Sequence, residues 1–357
     1  MTALVQAARH SAANARVRAL LSNLIPAQQW TSLIEAADLA SLVALLRGTW
    51  YGPALPAPGD AEPNVIQVER ALASHLAAAA RLPLSQLQGS PLDLLDWYWR
   101  RFELDNLKTV LRAVHHQSPP DQARNALTAL GSASALSWAD LAATGSIPAL
   151  VERLAGTWYG RVLRTALDQY GRQRSVFPLE VALDLAYYAG LLDRIDRLRG
   201  ADHADAVSFL RAWVDAQNLL WAYRYRLYAR LSPEEIINYT LQSHLRVNVD
   251  VVRAIALGAP LLDVVRSIWH TRLPDLEPLV DLPEDEMLPR LELIFQRHFY
   301  ALAQRARAAY PLRLASVLSY EFLLDAELRD LIVIVEGKSF AWPGERIRPY
   351  LVGERGL

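Results

Sequence analysis

Apolar residues recur along this chain at the spacing of amphipathic α-helices. Val17, Leu20, Leu21 and Leu24 follow the i, i+3, i+4, i+7 pattern, which places them on one face of a helix. Alanine and leucine, both strong helix formers, dominate the sequence, and alternating β-branched residues are scarce. The pattern therefore predicts an all-α fold.

Long helices are predicted after each proline-rich break, over about Val65 to Arg81, Arg161 to Tyr170 and Leu288 to Ala308. Ser232-Pro233-Glu234-Glu235 has the composition of a helix start: an N-cap, a proline in the first turn and two acids at the positive helix end. The strongest strand signal, Leu331 to Val335, lies inside a helical pattern, which favours a buried helix.

The sequence repeats itself at a fixed spacing. The position numbers of Asn106-Leu107, Asn218-Leu219 and Asp330-Leu331 increase twice by the same step, 112. An acid precedes each pair by three positions, on the same face of a helix. These acids are Glu103, Asp215 and Glu327.

A second motif recurs at nearly the same spacing as the Asn/Asp-Leu pairs. Gly48-Thr49-Trp50-Tyr51-Gly52 recurs unchanged as residues 156–160 and weakly around Trp269. From each tryptophan to the following Asn/Asp position the numbering advances by 56, by 60 and by 61 in turn. Two landmarks with a nearly constant separation indicate a threefold tandem duplication.

Turn-forming residues lie at the two boundaries that a threefold division of the chain predicts. Ser118-Pro119-Pro120 ends the first unit, and Leu231-Ser232-Pro233 ends the second. Residues 1–118, 119–232 and 233–357 are therefore predicted to be three related helical bundles, each of a typical small-domain size.

The composition limits the classes of partner and of binding site that the chain can have. The net charge of −1 gives no general attraction to nucleic acid or anionic lipid. The absence of cysteine excludes disulfides and thiolate metal sites. Residues 1–18 contain no signal-peptide core, and no apolar run is long enough to span a bilayer. We expect no nucleic-acid partner and no transmembrane segment.

Catalytic signals are weak. The acid-rich stretch from Asp193 to Asp205, which includes His203, has the side chains of a metal site, but a loop at Gly200 argues against convergent ligands. His115-His116 is better explained as a helix C-terminus. No phosphate-binding glycine loop, His-Glu-x-x-His or Gly-x-Ser-x-Gly motif occurs. We expect no catalytic, cofactor-binding or metal-binding residues.

The repeated polar positions have a structural and a functional explanation. Asn is unfavourable inside a helix, so Asn106 and Asn218 are first explained as buried amides bonded to nearby backbone, and alternatively as contacts to a partner. Trp50 and Trp158 are predicted to anchor each bundle core. The candidate positions for an interface or for packing between units are Glu103, Asn106, Arg112, Asp215, Asn218, Arg224, Glu327 and Asp330.

With these features the chain resembles a known family, the C subunit of archaeal and bacterial A/V-type rotary ATPases, equivalent to the d subunit of vacuolar pumps. The resemblance rests on residues 15–20, on the helix leading into 48–52, on 102–113 and on 327–338. Two positions depart from the family pattern: Asp330 stands where the family usually has Asn, and Glu336 stands where the first two units have arginine.

The resemblance implies a non-catalytic hub. It implies three bundles arranged as a pseudo-threefold funnel, with the wide end on the membrane rotor ring and the foot of the central shaft in the cavity. The implied partners are the shaft subunits (D and F type) and the ring. One copy per complex is implied, on the cytoplasmic face of the membrane and attached through the ring. The complex couples ion translocation to ATP synthesis or hydrolysis.

Two other classes of function remain open. The chain is alternatively a helical scaffold or adaptor of another complex, which continuous repeats of about 30–45 residues would indicate. It is, less well supported, an all-α metal-dependent enzyme that uses the acids between 193 and 205.

Overall fold

The structure, a computed structural model, describes residues 3–57, 64–242, 246–269, 273, 276–309 and 312–353. Within these residues the chain forms helices and no strand, which confirms the all-α prediction. None of the described helices combines the length and the apolarity needed to cross a bilayer.

The interval predicted as the first unit, residues 1–118, contains α1 to α6. Their bounds are α1 Ala3–Leu21, α2 Ala27–Ile34, α3 Leu39–Arg47, α4 Val65–Arg81, α5 Gly89–Trp99 and α6 Arg101–His115. Helix α4 has the predicted bounds, and α6 ends at His115, as the His-His pair predicted.

The second unit contains α7 to α13. Their bounds are α7 Pro120–Asn125, α8 Trp138–Ala142, α9 Ile147–Arg153, α10 Trp158–Gln173, α11 Phe177–Arg197, α12 Gly200–Ala206 and α13 Ala212–Arg224. Wider π-helical turns, Val207–Arg211 and Tyr225–Ala229, join α12 to α13 and extend α13.

The third unit contains α14 to α19. Their bounds are α14 Pro233–Asn238, α15 Val249–Ala256, α16 Leu261–Trp269, α17 Glu284–Ala309, α18 Leu314–Ser339 and α19 Gly344–Ile347. Ser232 is the N-cap of α14, as predicted, and it also forms a capping box with Glu235. Leu331 to Val335 lie inside α18, which confirms the buried-helix interpretation.

The long helices contact one another in a closed circuit, which we call the helical ring. Helix α6 packs on α11, α13 packs on α17, and α18, the last long helix, packs back on α4. The repeat step of 112 relates α4, α11 and α17. The helix at 161–170, which the proline breaks suggested as the second counterpart, is α10, and α11 occupies the equivalent place instead.

One hydrophobic cluster combines the two ends of the chain. It joins buried side chains between Ile25 and Leu72 with buried side chains between Leu331 and Leu351. The cluster formed by α2, α3 and the first part of α4 is therefore completed by α18 and α19. The sequence intervals 1–118, 119–232 and 233–357 stay a prediction.

The identical pentapeptides share a threonine contact and a crowded last glycine, although residues 48–52 form a turn and Thr157 is the N-cap of α10. Thr49 and Thr157 each donate their hydroxyl to the carbonyl oxygen three residues earlier, at 2.7 Å. A Cβ on Gly52 would lie 2.3 Å from the Arg47 carbonyl oxygen, and one on Gly160 would lie 2.1 Å from that of Leu154. The last glycine is therefore required because the backbone passes too close for any side chain.

The ring that each pentapeptide buries is tyrosine rather than the predicted tryptophan. Tyr51 and Tyr159 are fully buried, whereas Trp50 and Trp158 are half-buried at the edge of the core. Trp97 contacts the second unit, where its Nε1 donates to the Tyr187 carbonyl oxygen at 2.8 Å.

Replacing Gly52 or Gly160 by alanine should destabilise the protein, because the new methyl group meets backbone that cannot rotate away. We expect a loss of at least about 1–3 kcal/mol, measured by urea denaturation. Gly171→Ala is the matched control, because its Cβ would lie in open space inside α10 and helical alanine is favoured over glycine. Equal stability of G52A, G160A and G171A would contradict the packing argument.

Candidate functional site

The three repeated Asn/Asp side chains are buried and bind backbone in the following segment. Asn106 accepts from the Thr128 amide and donates to the Thr128 carbonyl oxygen, both at 2.8 Å. Asn218 accepts from the Leu241 amide at 2.8 Å and donates to the carbonyl oxygens of Leu241 and Val247. Each side chain thereby ties its helix to the chain that follows it.

Asp330 binds the equivalent place with different chemistry. It accepts from the Val352 amide at 2.6 Å and from the Gly353 amide at 3.1 Å. Asn106 and Asn218 each face an N–H and a C=O, which suits an amide, whereas Asp330 faces two N–H groups, which suit a carboxylate. The departure at this position is therefore matched by the backbone that it binds.

The acids three positions earlier bind the next unit in the ring. Glu103 accepts from the Tyr159 hydroxyl at 2.6 Å and from the Ser134 hydroxyl at 2.5 Å. Glu327 accepts from the Tyr51 hydroxyl and from the Ile25 amide, each at 2.9 Å. Because α18 is the last long helix, the third unit finds these partners near the start of the sequence.

Asp215 anchors the second unit through backbone. Its carboxylate accepts from the Val247 amide at 2.9 Å. Burial raises its pKa, and the hydrogen bond from Val247 partly opposes that effect. The segment after Trp269 that corresponds to Tyr51 and Tyr159 begins with His270, which lies outside the described residues.

The repeated arginines form ion pairs between neighbouring helices of the ring. Arg112 Nε donates to Glu180 Oε1 at 2.7 Å, joining α6 to α11. Arg224 Nη2 donates to Glu292 Oε2 at 2.5 Å, joining α13 to α17. Both pairs span 68 positions. Arg226, in the π-helical turn that extends α13, binds Glu284 at the start of α17.

The three units meet at a point that the motifs did not predict. Arg101, Trp213 and Asp325 are also separated by the repeat step. Arg101 Nη2 donates to Asp325 Oδ1 at 2.8 Å, and Tyr98 packs edge-on against Trp213 and stacks on Phe322. The repeat step of 112 could have identified this junction, because it also relates Arg101, Trp213 and Asp325, although their residue types differ.

A second carboxyl shares the arginine of this junction. Glu321 Oε2 lies 3.6 Å from Arg101 Nη2, while its Oε1 has no hydrogen-bond partner among the described residues. Burial raises the pKa of Glu321 to about 8, and Arg101 opposes this rise. The Arg101 guanidinium therefore faces two carboxyl groups. The side chain of Asp325 is 34% exposed, and it makes the shorter of the two contacts.

The acids proposed as a metal site point to separate partners. Asp202 receives a hydrogen bond from His10 Nε2 at 2.9 Å, and Asp205 pairs with Arg313 and with the Ala315 amide. Asp193 and Asp196 pair with arginines of their own surroundings. In the described part of the chain, no three His, Asp or Glu side chains are grouped closely enough to hold a metal ion.

Exchanging amide and carboxylate at the repeated position should be harmful in both directions. Asn106→Asp directs a carboxylate at the Thr128 carbonyl oxygen, and Asp330→Asn directs an amide N–H₂ at one of two backbone N–H groups. We expect each change to lower the free energy of unfolding by about 1–3 kcal/mol, measured by urea denaturation. Asp168→Asn, on the exposed face of α10, is the control. Tolerance of D330N would contradict the assignment of its backbone partners.

Stability should fall as pH rises through the range set by Glu321. Its ordinary pKa is 4.5 and its folded pKa is about 8, so between these values the folded protein keeps a proton that the unfolded chain releases. The free energy of unfolding therefore decreases over this range. Glu321→Gln should flatten the decrease and exceed the wild type by about 1–4 kcal/mol at pH 8. Chemical denaturation from pH 5 to 9 tests this, and equal slopes for the two proteins would contradict it.

Comparison with known proteins gives one consistent family. Residues 13–350 match the family model described as ATP synthase (C/AC39) subunit. A protein of Haloferax volcanii, named as the C subunit of an A-type ATP synthase, is 26% identical over 341 residues, which cover 95% of this chain and 96% of that protein. A protein of the same name from Halorubrum lacusprofundi is 28% identical, covering 95% and 96%. One from Methanocaldococcus jannaschii is 22% identical, covering 98% and 88%.

Proposed function

This chain belongs to the ATP synthase (C/AC39) subunit family, and we propose that it is the non-catalytic central-stalk subunit of an A/V-type rotary ATPase. In this role it links the central shaft to the membrane rotor ring and so couples ion translocation to ATP synthesis or hydrolysis. The observation that carries the proposal is the family match over nearly the whole chain, since its relatives are named for the same component of the complex.

The helical ring has the mechanical character that such a part requires. Three equivalent helix pairs are fixed to one another by buried hydrogen bonds at Glu103 and Glu327 and by ion pairs at Arg112 and Arg224. Close-packed interiors have low compressibility, so a closed ring of packed helices resists twisting. Torque applied at one end would reach the other with little loss in deformation.

The central junction supports a pseudo-threefold arrangement of the units. Arg101 pairs there with Asp325, and Tyr98 packs against Trp213 and Phe322, so side chains from all three predicted units meet. A part with approximate threefold symmetry is suited to join a symmetric ring of identical subunits to a shaft that lacks that symmetry. We propose that the three units form a funnel around this axis and that the shaft enters its cavity.

Most of the predicted candidate positions are suited to hold the units together rather than to touch a partner. Asn106, Asn218 and Asp330 are buried, as are Glu103 and Glu327. By contrast, the arginine at position 112 is the most exposed of the ion-paired candidates, with 59% of its side chain accessible. We propose that any direct contact with the shaft involves the exposed surface around Arg112 and the partly exposed carboxyl group of Asp325 at the central junction.

No observation favours the alternative functions. The acids of the stretch from 193 to 205 are each engaged by a basic side chain, so binding a metal would require breaking these pairs. The repeat step is also far longer than that of common helical scaffolds, about 33–47 residues. We propose one copy per complex, on the cytoplasmic face of the membrane and attached through the rotor ring.

Binding to the two neighbouring parts of the complex tests the proposal. We expect the purified chain to form a one-to-one complex with the D- and F-type shaft subunits of the same organism, measured by co-elution and calorimetry. We also expect it to cap detergent-solubilised rotor ring. We expect Arg112→Ala to weaken shaft binding, because Arg112 lies on the exposed surface proposed as the contact. Arg253→Ala, which changes an exposed arginine on α15, is the matched control.

Other outcomes would redirect the assignment. A folded, monodisperse chain that binds neither shaft nor ring would contradict the central-stalk role and favour a scaffold of another assembly. An increase in melting temperature on adding Mg²⁺ or Zn²⁺ would instead favour the metal-dependent enzyme, because a ligand that binds only the folded state stabilises it.

A further inference from the structure

An open cleft, which we call the first cleft, lies between α4 and the segment that follows α6. Its volume is about 910 Å³, which is within the range of small-molecule sites, about 300–1,000 Å³. Gln67, Arg70 and Ser74 of α4 line one wall, and groups between positions 124 and 139 line the other. The first cleft is therefore large enough to hold a small organic molecule.

A second cleft lies at the equivalent place in the repeat. Four of its lining residues are Thr165, Ala166, Ala182 and Tyr239. One repeat step earlier, in the same order, stand four residues that line the first cleft: Pro53, Ala54, Arg70 and Leu127. The second cleft has a volume of only about 300 Å³. Since the two clefts are the same feature of the repeat, their differences are not requirements of the fold.

The second cleft is smaller because an aromatic side chain occupies part of it. Tyr239 stands where the first cleft has Leu127. The Tyr239 hydroxyl accepts a hydrogen bond from Gln169, which also lines the second cleft. A leucine in place of this tyrosine therefore leaves space open in the first cleft.

The two clefts also differ in charge. Arg70 of α4 and Arg124 of α7 line the first cleft, and none of its described lining residues is an aspartate or a glutamate. One repeat step later stand Ala182 and Ile236, and among the described residues the second cleft is lined by Glu235 and by no arginine. The helices thus pack in the same way without the two cations, which indicates that the arginines serve another purpose.

Both arginines have N–H groups left for a ligand. Arg70 Nη1 donates to the Asn125 carbonyl oxygen at 2.7 Å, and a guanidinium has further donors. Arg124 pairs with Asp121, but its side chain is 50% exposed. An anion bound between the two guanidinium groups would also offset their mutual repulsion.

Two ring nitrogens of the cleft wall lack hydrogen-bond partners among the described residues. They are His75 Nε2 and Trp138 Nε1, and both side chains line the first cleft. Burial lowers the pKa of His75, so its ring is neutral at pH 7 and is able to donate or to accept. Because unpaired buried polar atoms are rare, these two nitrogens are a second indication of a ligand with polar atoms.

We propose that the first cleft binds a small organic phosphate, with the phosphate group held by Arg70 and Arg124 and the apolar part against Pro53, Leu127 and Trp138. Guanidinium groups match the geometry of phosphate oxygens. Two of them, on separate helices, suit the charge of a phosphate, about −1.5 to −2, better than the single charge of a carboxylate. This site belongs to the chain itself and does not depend on its place in an ATPase.

Calorimetry with the purified full chain tests the site. The probes are adenosine monophosphate and glucose 6-phosphate, with inorganic phosphate and adenosine as the separate parts of the first. We expect one organic phosphate per chain to bind, and more tightly than either part alone. Arg70→Ala, which installs the residue of the second cleft, should weaken binding about tenfold or more. Arg253→Ala, on α15, is the matched control and should leave binding unchanged.

Leu127→Tyr tests the space rather than the charge. It introduces the tyrosine of the second cleft and should abolish binding while both arginines stay in place. The indole N–H signal of Trp138 in NMR spectra, assigned with Trp138→Phe, should shift on addition of the organic phosphate in the wild type and in R253A but not in L127Y. If L127Y does not fold, R70A decides the question, because it removes an exposed hydrogen bond.

Three results would overturn the proposal. They are the failure of both organic phosphates to bind at millimolar concentration, binding that R70A leaves unchanged, and inorganic phosphate that binds as tightly as the organic probes. Binding of the chain to shaft and ring is measured separately, so the central-stalk role and the phosphate site stand or fall independently.

Discussion

The packing of α18 on α4 joins the two ends of the chain, and the other contacts between units depend on it. In an open array of repeats the terminal units each leave one apolar face uncovered. Here the last long helix covers the first unit, and Glu327 reaches Tyr51 and Ile25 across most of the sequence. Every unit therefore has two neighbours, and no terminal unit needs a separate polar cap.

Packing of each long helix on the segment that follows it explains why the repeated polar side chains are buried. A helix that packs on both sides brings backbone groups of the following segment into the interior, where an unpaired N–H or C=O is costly. Asn106 and Asn218 each pair with both kinds of backbone group, whereas Asp330 pairs with two N–H groups. The residue type at each position is thus set by the backbone that it must satisfy.

Part of this arrangement could be predicted from the sequence. The constant repeat step identified the anchoring amides and acids, and apolar periodicity gave the bounds of α4, because both signals are local or strictly periodic. The partners of Glu327 could not be predicted, since they lie 276 and 302 positions away and nothing in a linear repeat specifies closure. The burial of Tyr51 rather than Trp50 could not be predicted either. It depends on the backbone conformation before Gly52, which determines which of the two adjacent rings points into the core.

The three contacts between long helices, α6 on α11, α13 on α17 and α18 on α4, differ in charge, because Glu336 stands one repeat step after Arg224. Apolar burial supplies most of the stability of a helix contact, at about 25 cal/mol per Å², whereas a part-exposed ion pair adds at most about 1 kcal/mol. Having Glu336 in place of an arginine therefore leaves the fold intact, because the contact between α18 and α4 is held by apolar side chains such as Leu72 and Val335.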